Sequence, residues 1–223
     1  MKPQFRNSFL PFALIALAGA SAATQAADPT LPADVGAVQD QWAEIMYKTP
    51  KAQRTAELEA LSKRAENTRK AHAKHAGALI WEGIVLSSLA GEKGGVGALG
   101  LVKQARKEFE QALAIEPNAL SGSAYTSLGS LYYQVPGWPL GFGDDDKARE
   151  MLKKALQIDP DGIDANYFYA DFLHDQGEDK AAAAALEKAI AAPARPGREL
   201  ADQGRRKEAQ AKLATVRASL AKH

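Results

Sequence analysis

One spacing recurs in this chain and constrains its fold more than any other feature. Ala105, Phe109, Ala112 and Pro117 are separated by 4, 3 and 5 residues, and Ala148, Leu152, Ala155 and Pro160 repeat those separations. A third copy, Ala182, Leu186 and Ala189, keeps the 4 and 3, while Pro193 arrives one residue early. Steps of three and four put residues on one face of a helix. A proline beyond them ends the helix, because it lacks an N–H and its ring crowds the preceding turn. Upstream of each copy a small residue is followed three positions later by a larger one: Gly83 and Leu86, Gly129 and Tyr132, Ala170 and Leu173. The small residue lets a second helix approach closely, and the larger one fills the space beside it. The unit is a helical hairpin that buries too little by itself and must stack on its neighbours.

These residues, with the shared phrases EFEQALAIEPNA and REMLKKALQIDPDG, resemble tetratricopeptide repeats, a family of helix–turn–helix units of about 34 residues. The resemblance implies an all-α, right-handed superhelical array with terminal capping helices. It also implies a fixed distance from the small residue of the first helix to the Ala of the second. The third copy keeps it, at 12 residues from Ala170 to Ala182, whereas the first copy has 22 and the second 19. The excess matches Gly91–Gly100 and Val135–Gly141, expected as exposed turns inside two of the hairpins. The predicted organisation is therefore three repeats over 76–197 with inserts at 91–100 and 135–141. An N-terminal helical cap over 28–75 is broken near Pro50, with Trp42, Ile45 and Met46 on one face. A C-terminal capping helix covers 198–223, where Gly204 stands 34 residues after Ala170.

Residues 1–27 read as a cleaved signal peptide: Lys2 and Arg6, an apolar run from about Phe9 to Ala20, then Ala20-Ser21-Ala22 as the small-x-small cleavage pattern. The run is too short to span a bilayer. A periplasmic or secreted protein is expected. Cys is absent, which removes disulfides, thiolate chemistry and any lipid-bearing Cys after the leader. With 28 Lys+Arg against 27 Asp+Glu, charge gives no sign of a nucleic-acid partner. A charged fraction of 25% argues against a polytopic membrane protein, and no stable membrane insertion of the mature chain is expected.

No catalytic, cofactor or metal site is predicted. Gly95, Gly97 and Gly100 match G-x-G-x-x-G, but a dinucleotide fingerprint needs a strand before it and a parallel sheet around it; a flexible turn is expected. His72 and His75 lack a third ligand at metal spacing. Asp144, Asp145 and Asp146 suit the N-terminus of a helix, where acids oppose the positive dipole end. His174 lies near Asp171 and Asp175, with no serine legible as a nucleophile. Arg195, Arg198, Arg205, Arg206 and Lys207 form a basic cluster offset by Glu199, Asp202 and Glu208. It reads as a solvated face or as a patch for an acidic partner.

In the family the first helices line a concave groove. Carried onto this chain, that row is Thr126, Ser130 and Tyr133, then Tyr167, Asp171 and His174, then Arg205. It is either a binding face or an ordinary solvated one. Trp138, in a turn stiffened by proline and glycine, either plugs its own repeat or anchors a partner at the rim. The resemblance implies a non-enzymatic scaffold that holds a protein or peptide partner in the groove. The alternative is a periplasmic accessory of a solute transporter, with a closed pocket bounded by the inserts and a small ligand inside.

Overall fold

Prolines mark several of the helix boundaries. The computed structural model describes residues 31–222, so the expected leader at 1–27 lies outside the described residues. Helices α1 (Ala33–Tyr47) and α2 (Lys51–Ala71) each follow a proline, Pro32 and Pro50, whose fixed φ suits a helix start. Then come α3 (Ala76–Lys93), α4 (Gly95–Ile115), α5 (Ala119–Gln134), α6 (Asp145–Ile158), α7 (Ile163–Asp175), α8 (Asp179–Ala191) and α9 (Glu199–Leu220). Pro117, Pro160 and Pro193 each lie two residues beyond the last residue of α4, α6 and α8. No strand occurs among the described residues, and no helix there is long and apolar enough to cross a membrane.

The three hairpins α3–α4, α5–α6 and α7–α8 are equivalent in their cores. Ala105, Phe109, Ala112, Ala148, Leu152, Ala155, Ala182, Leu186 and Ala189 are all fully buried. A Cβ on Gly83 would fall 2.5 Å from the Phe109 ring, and one on Gly129 would fall 2.6 Å from Leu152. The small residue of one helix thus receives the large residue of its partner. Burying each such Leu or Phe stabilises the fold by about 1.5–3 kcal/mol. The N-terminal α1–α2 pair stacks on α3, and α9 stacks on α7 and α8.

The expected flexible turn at Gly95–Gly100 is not a turn. Those residues are the first turns of α4, and the hairpin reverses at Gly94, where Gly94 and Gly95 take φ of +62° and +61°. The extra residues lengthen both helices, to 18 in α3 and 21 in α4, against 13 in each of α7 and α8. The second insert is a loop, as its prolines require. Asp144 caps α6 by accepting the Lys147 backbone N–H at 3.0 Å.

The odd-numbered helices form an inner layer and the even-numbered ones an outer layer. Inside, α1 packs on α3, α3 on α5, α5 on α7 and α7 on α9, and α9 returns to α1. The closing contact is tight. Gly204 of α9 lies against the Tyr47 ring of α1, where any Cβ would collide. Ala201 joins the apolar cluster of Val35, Val38, Trp42 and Trp81. Burial pushes the Tyr47 phenol up to about 12. An array expected to present an open concave strip therefore meets itself end to end.

Candidate functional site

Closure of the inner layer forms a half-open cavity of about 1450 Å³, walled by α1, α3, α5, the start of α7 and the start of α9. Both inserts contribute. Ala98 and Leu99 reach the wall from the lengthened α4, and Pro136 and Leu140 reach it from the second loop. On the opposite edge the wall is completed by the α6–α7 turn, Ile158 to Gly162, and by the α8–α9 segment, Ala191 to Arg198.

One side of the cavity is aromatic. The Trp42 and Trp81 rings lie 5.8 Å apart, and Tyr47 meets Trp42 edge-on at 6.0 Å. The two serine hydroxyls on this side are committed to the protein. Ser87 donates to the Gly83 carbonyl at 2.8 Å and Ser88 to the Ile84 carbonyl at 2.9 Å, while Ser88 also accepts the Trp42 indole N–H at 2.8 Å. This wall is therefore less polar than its composition suggests. Leu120 and Ser121, also at the wall, hold left-handed backbone with φ of 49° and 54°, an unfavourable conformation for side-chain-bearing residues.

The other side is an ion-pair network. Arg205 donates to Asp164 at 2.8 Å and to Glu208 at 2.6 Å, and its guanidinium sits between the Tyr167 and Phe168 rings at 4.6 and 4.7 Å. Arg195 reaches Asp164 at 3.0 Å and Asp202 at 2.6 Å, and its backbone N–H donates to the same Asp202 carboxylate at 2.9 Å. Burial alone would raise the Asp164 carboxyl, but the charges of Arg195 and Arg205 outweigh it and hold the group well below the usual carboxylate range. The basic cluster is thus not a solvated face. Its arginines turn inward because α7 and α9 supply Asp164 and the fully buried Asp202.

The expected groove residues divide. Thr126, Ser130 and Arg205 line the cavity. Tyr133, Tyr167, Asp171 and His174 are not among its lining residues. Tyr133 donates its hydroxyl to Asp171 at 2.7 Å, and Lys212 of α9 holds the other Asp171 oxygen at 2.6 Å. Burial first, and then the Asp171 charge, push the Tyr133 phenol far above its ordinary value. His174 pairs with Asp179 at 2.5 Å, and Tyr167 lies against the Arg205 guanidinium. The reason is the path of α7: Asp164 and Phe168, in its first turns, border the cavity, while its second half leans on α9. Tyr133, Asp171 and Lys212 accordingly tie three inner helices together.

Trp138 does not plug its repeat. It is 91% exposed, and neighbouring Leu140 is 69% exposed at the cavity mouth. Phe142 packs inward instead, edge-on to Tyr132 at 5.9 Å with the Arg106 guanidinium 4.6 Å away. The loop is held by its own backbone: Gly143 donates to the Pro136 carbonyl at 3.0 Å and Asp144 to the Tyr132 carbonyl at 2.8 Å.

Residues 140–196, which contain α6, α7 and α8, match the family model for the tetratricopeptide repeat. This chain carries a tetratricopeptide repeat over that segment. No curated protein matches it. Tetratricopeptide repeats generally serve protein–protein interaction or scaffolding. In this chain several wall residues were not anticipated: Trp42, Tyr47 and Trp81, Asp164, Phe168 and Arg198. A signal existed for the row between them. The position after the small residue is Ile84 beside Gly83, Ser130 beside Gly129 and Arg205 beside Gly204, and all three line the cavity.

Proposed function

We propose that the protein is a non-enzymatic recognition module that takes a small ligand into its half-open cavity and offers the loop at the mouth to a protein partner. The observation that carries this reading is the contact between α1 and α9, which turns a concave strip into a ring around a half-open cavity bordered by both inserts. A mostly apolar cavity with a few converging charged groups is the usual form of a small-molecule site. A second observation favours a protein partner at the rim. Trp138 and Leu140 stand exposed on a loop fixed by internal hydrogen bonds, and an exposed aromatic on a rigid support suits an interface anchor. The pattern of residues 1–27 supports action outside the cytoplasm, in the periplasm or beyond it.

The two halves of the reading separate experimentally. Ser127→Trp fills the cavity from α5; it is expected to abolish ligand-induced rises in melting temperature and leave partner capture intact. Trp138→Ala, at a residue outside the cavity lining, is expected to do the reverse. A small ligand whose stabilising effect survives Ser127→Trp contradicts the cavity as its site.

A further inference from the structure

We propose that Arg198 and Trp81 form a head-group subsite in the cavity, and that the ligand it fits is a free carboxylic acid carried on a long apolar body. This rests on the cavity reading and adds the ligand's chemistry to it.

Arg198 differs from the arginines around it. Arg195 and Arg205 are paired to carboxylates, and Arg206 donates to the Ala192 carbonyl at 2.9 Å. The Arg198 side chain has no hydrogen-bond acceptor or ion-pair partner among the described residues. Its contact is with a ring, its guanidinium carbon lying 5.1 Å from the centroid of Trp81. Burial draws its guanidinium below the ordinary value, and the nearby Asp164 and Asp202 offset this only in part. Those two acids already serve Arg195 and Arg205. Trp81 supplies an independent observation: it is 4% exposed in the cavity wall, and its indole N–H is buried without an acceptor. An unpaired buried donor such as the Trp81 indole N–H costs about 1–3 kcal/mol, and the half-buried Arg198 charge is only partly hydrated. Both groups stand at one place in the wall of one cavity, where an incoming anion would satisfy the cation.

The surroundings select the kind of anion. Asp40, Asp159 and Asp161 also border the cavity. Counting Asp164 and Glu208 against Lys188, Arg195 and Arg205 as well, the wall outside Arg198 holds more acids than bases, which disfavours a doubly charged phosphate more than a single carboxylate. Beyond the head group one side of the wall is Trp42, Met46, Ile84, Leu99 and Phe168, and the α5 side carries Thr126, Ser127 and Ser130. Ser87 and Ser88 already donate to their own helix. An extended peptide would find partners for its backbone N–H and C=O groups on the α5 side only and would leave those against the apolar side unpaired. An aliphatic chain brings none.

The test is titration of the whole protein with decanoate, with 1-decanol, and with a short apolar peptide bearing a free carboxyl terminus, followed by calorimetry and by the fluorescence of Trp42 and Trp81. Decanoate is expected to bind about tenfold or more tighter than decanol, as a charge-assisted hydrogen bond implies. Arg198→Gln is expected to erase that preference while leaving decanol binding in place, which also shows that the variant is folded; Arg198→Lys is expected to retain part of it. Equal binding of acid and alcohol overturns the subsite and leaves the cavity reading standing. Failure of both to bind overturns the two together. Tighter binding of the peptide than of decanoate overturns the assignment to a free acid.

Discussion

Two insertions of similar length meet opposite fates in this molecule. Residues 91–100 are absorbed into helix, so that α3 and α4 run 18 and 21 residues and meet across a tight reversal at Gly94. Residues 135–141 stay a loop and carry Trp138 into solvent. Both are rich in glycine, and the difference is proline. Glycine in a helix costs only about 1 kcal/mol relative to Ala, which the packing of Ala98, Leu99 and Leu101 on the core of the hairpin outweighs. Pro136 and Pro139 in the second insert each remove a donor and obstruct the preceding turn, a cost near 3 kcal/mol that side-chain packing there does not recover. The first insert deepens the cavity wall; the second builds its rim.

This contrast can be broken from either side. Placing a proline in the first insert should make it resemble the second: Gly100→Pro, inside α4, is expected to lower stability by about 3 kcal/mol, read by urea unfolding. In the second insert Gly141 is held by a close backbone contact. A Cβ on Gly141 would collide with the Pro136 carbonyl oxygen. Gly141→Ala is expected to cost about 1–3 kcal/mol by the same measurement. The identical change in the first insert should have the opposite sign. A Cβ on Gly100 meets nothing within 4 Å, so Gly100→Ala is expected to stabilise by about 0.5–1 kcal/mol. The smallest effect belongs to Trp138→Ala. At 91% exposure the ring contributes little to folding, and stability should change by less than about 0.5 kcal/mol while capture of a partner at the rim is lost. A large loss of stability at Trp138 would mean that the ring packs on its own repeat after all.

The repeat cores were legible because their signals are local. Steps of three and four residues, a small residue facing a large one and a proline beyond the helix all act within one hairpin, and Ala105, Ala148 and Ala182 fall in equivalent fully buried surroundings. Gly95–Gly100 departs from the expected turn because glycine spacing resembles a turn, while the burial that stabilises the helix comes from residues packed against it. Ring closure was illegible for a different reason. Gly204 is recognisable as the small residue of a fourth unit, but what it meets is Tyr47, from the opposite end of the array. That meeting depends on small rotations summed over every hairpin, which no single hairpin encodes. The groove row failed at Asp171 on the same account: the direction of α7 relative to α9 decides whether its face looks into the cavity or onto Lys212.

The central claim is that the array closes on itself, and a distance across the closure tests it most directly. Lys48, beside Tyr47, and Lys207, about one turn past Gly204, are both exposed, and the chain has no native Cys to compete for label. Spin labels on Lys48→Cys and Lys207→Cys should give one narrow distance distribution, on the order of 20 Å for positions one helical turn from a direct contact. A broad distribution centred well beyond that value would mean an open array, with no cavity and no place for the ligand proposed to fill it.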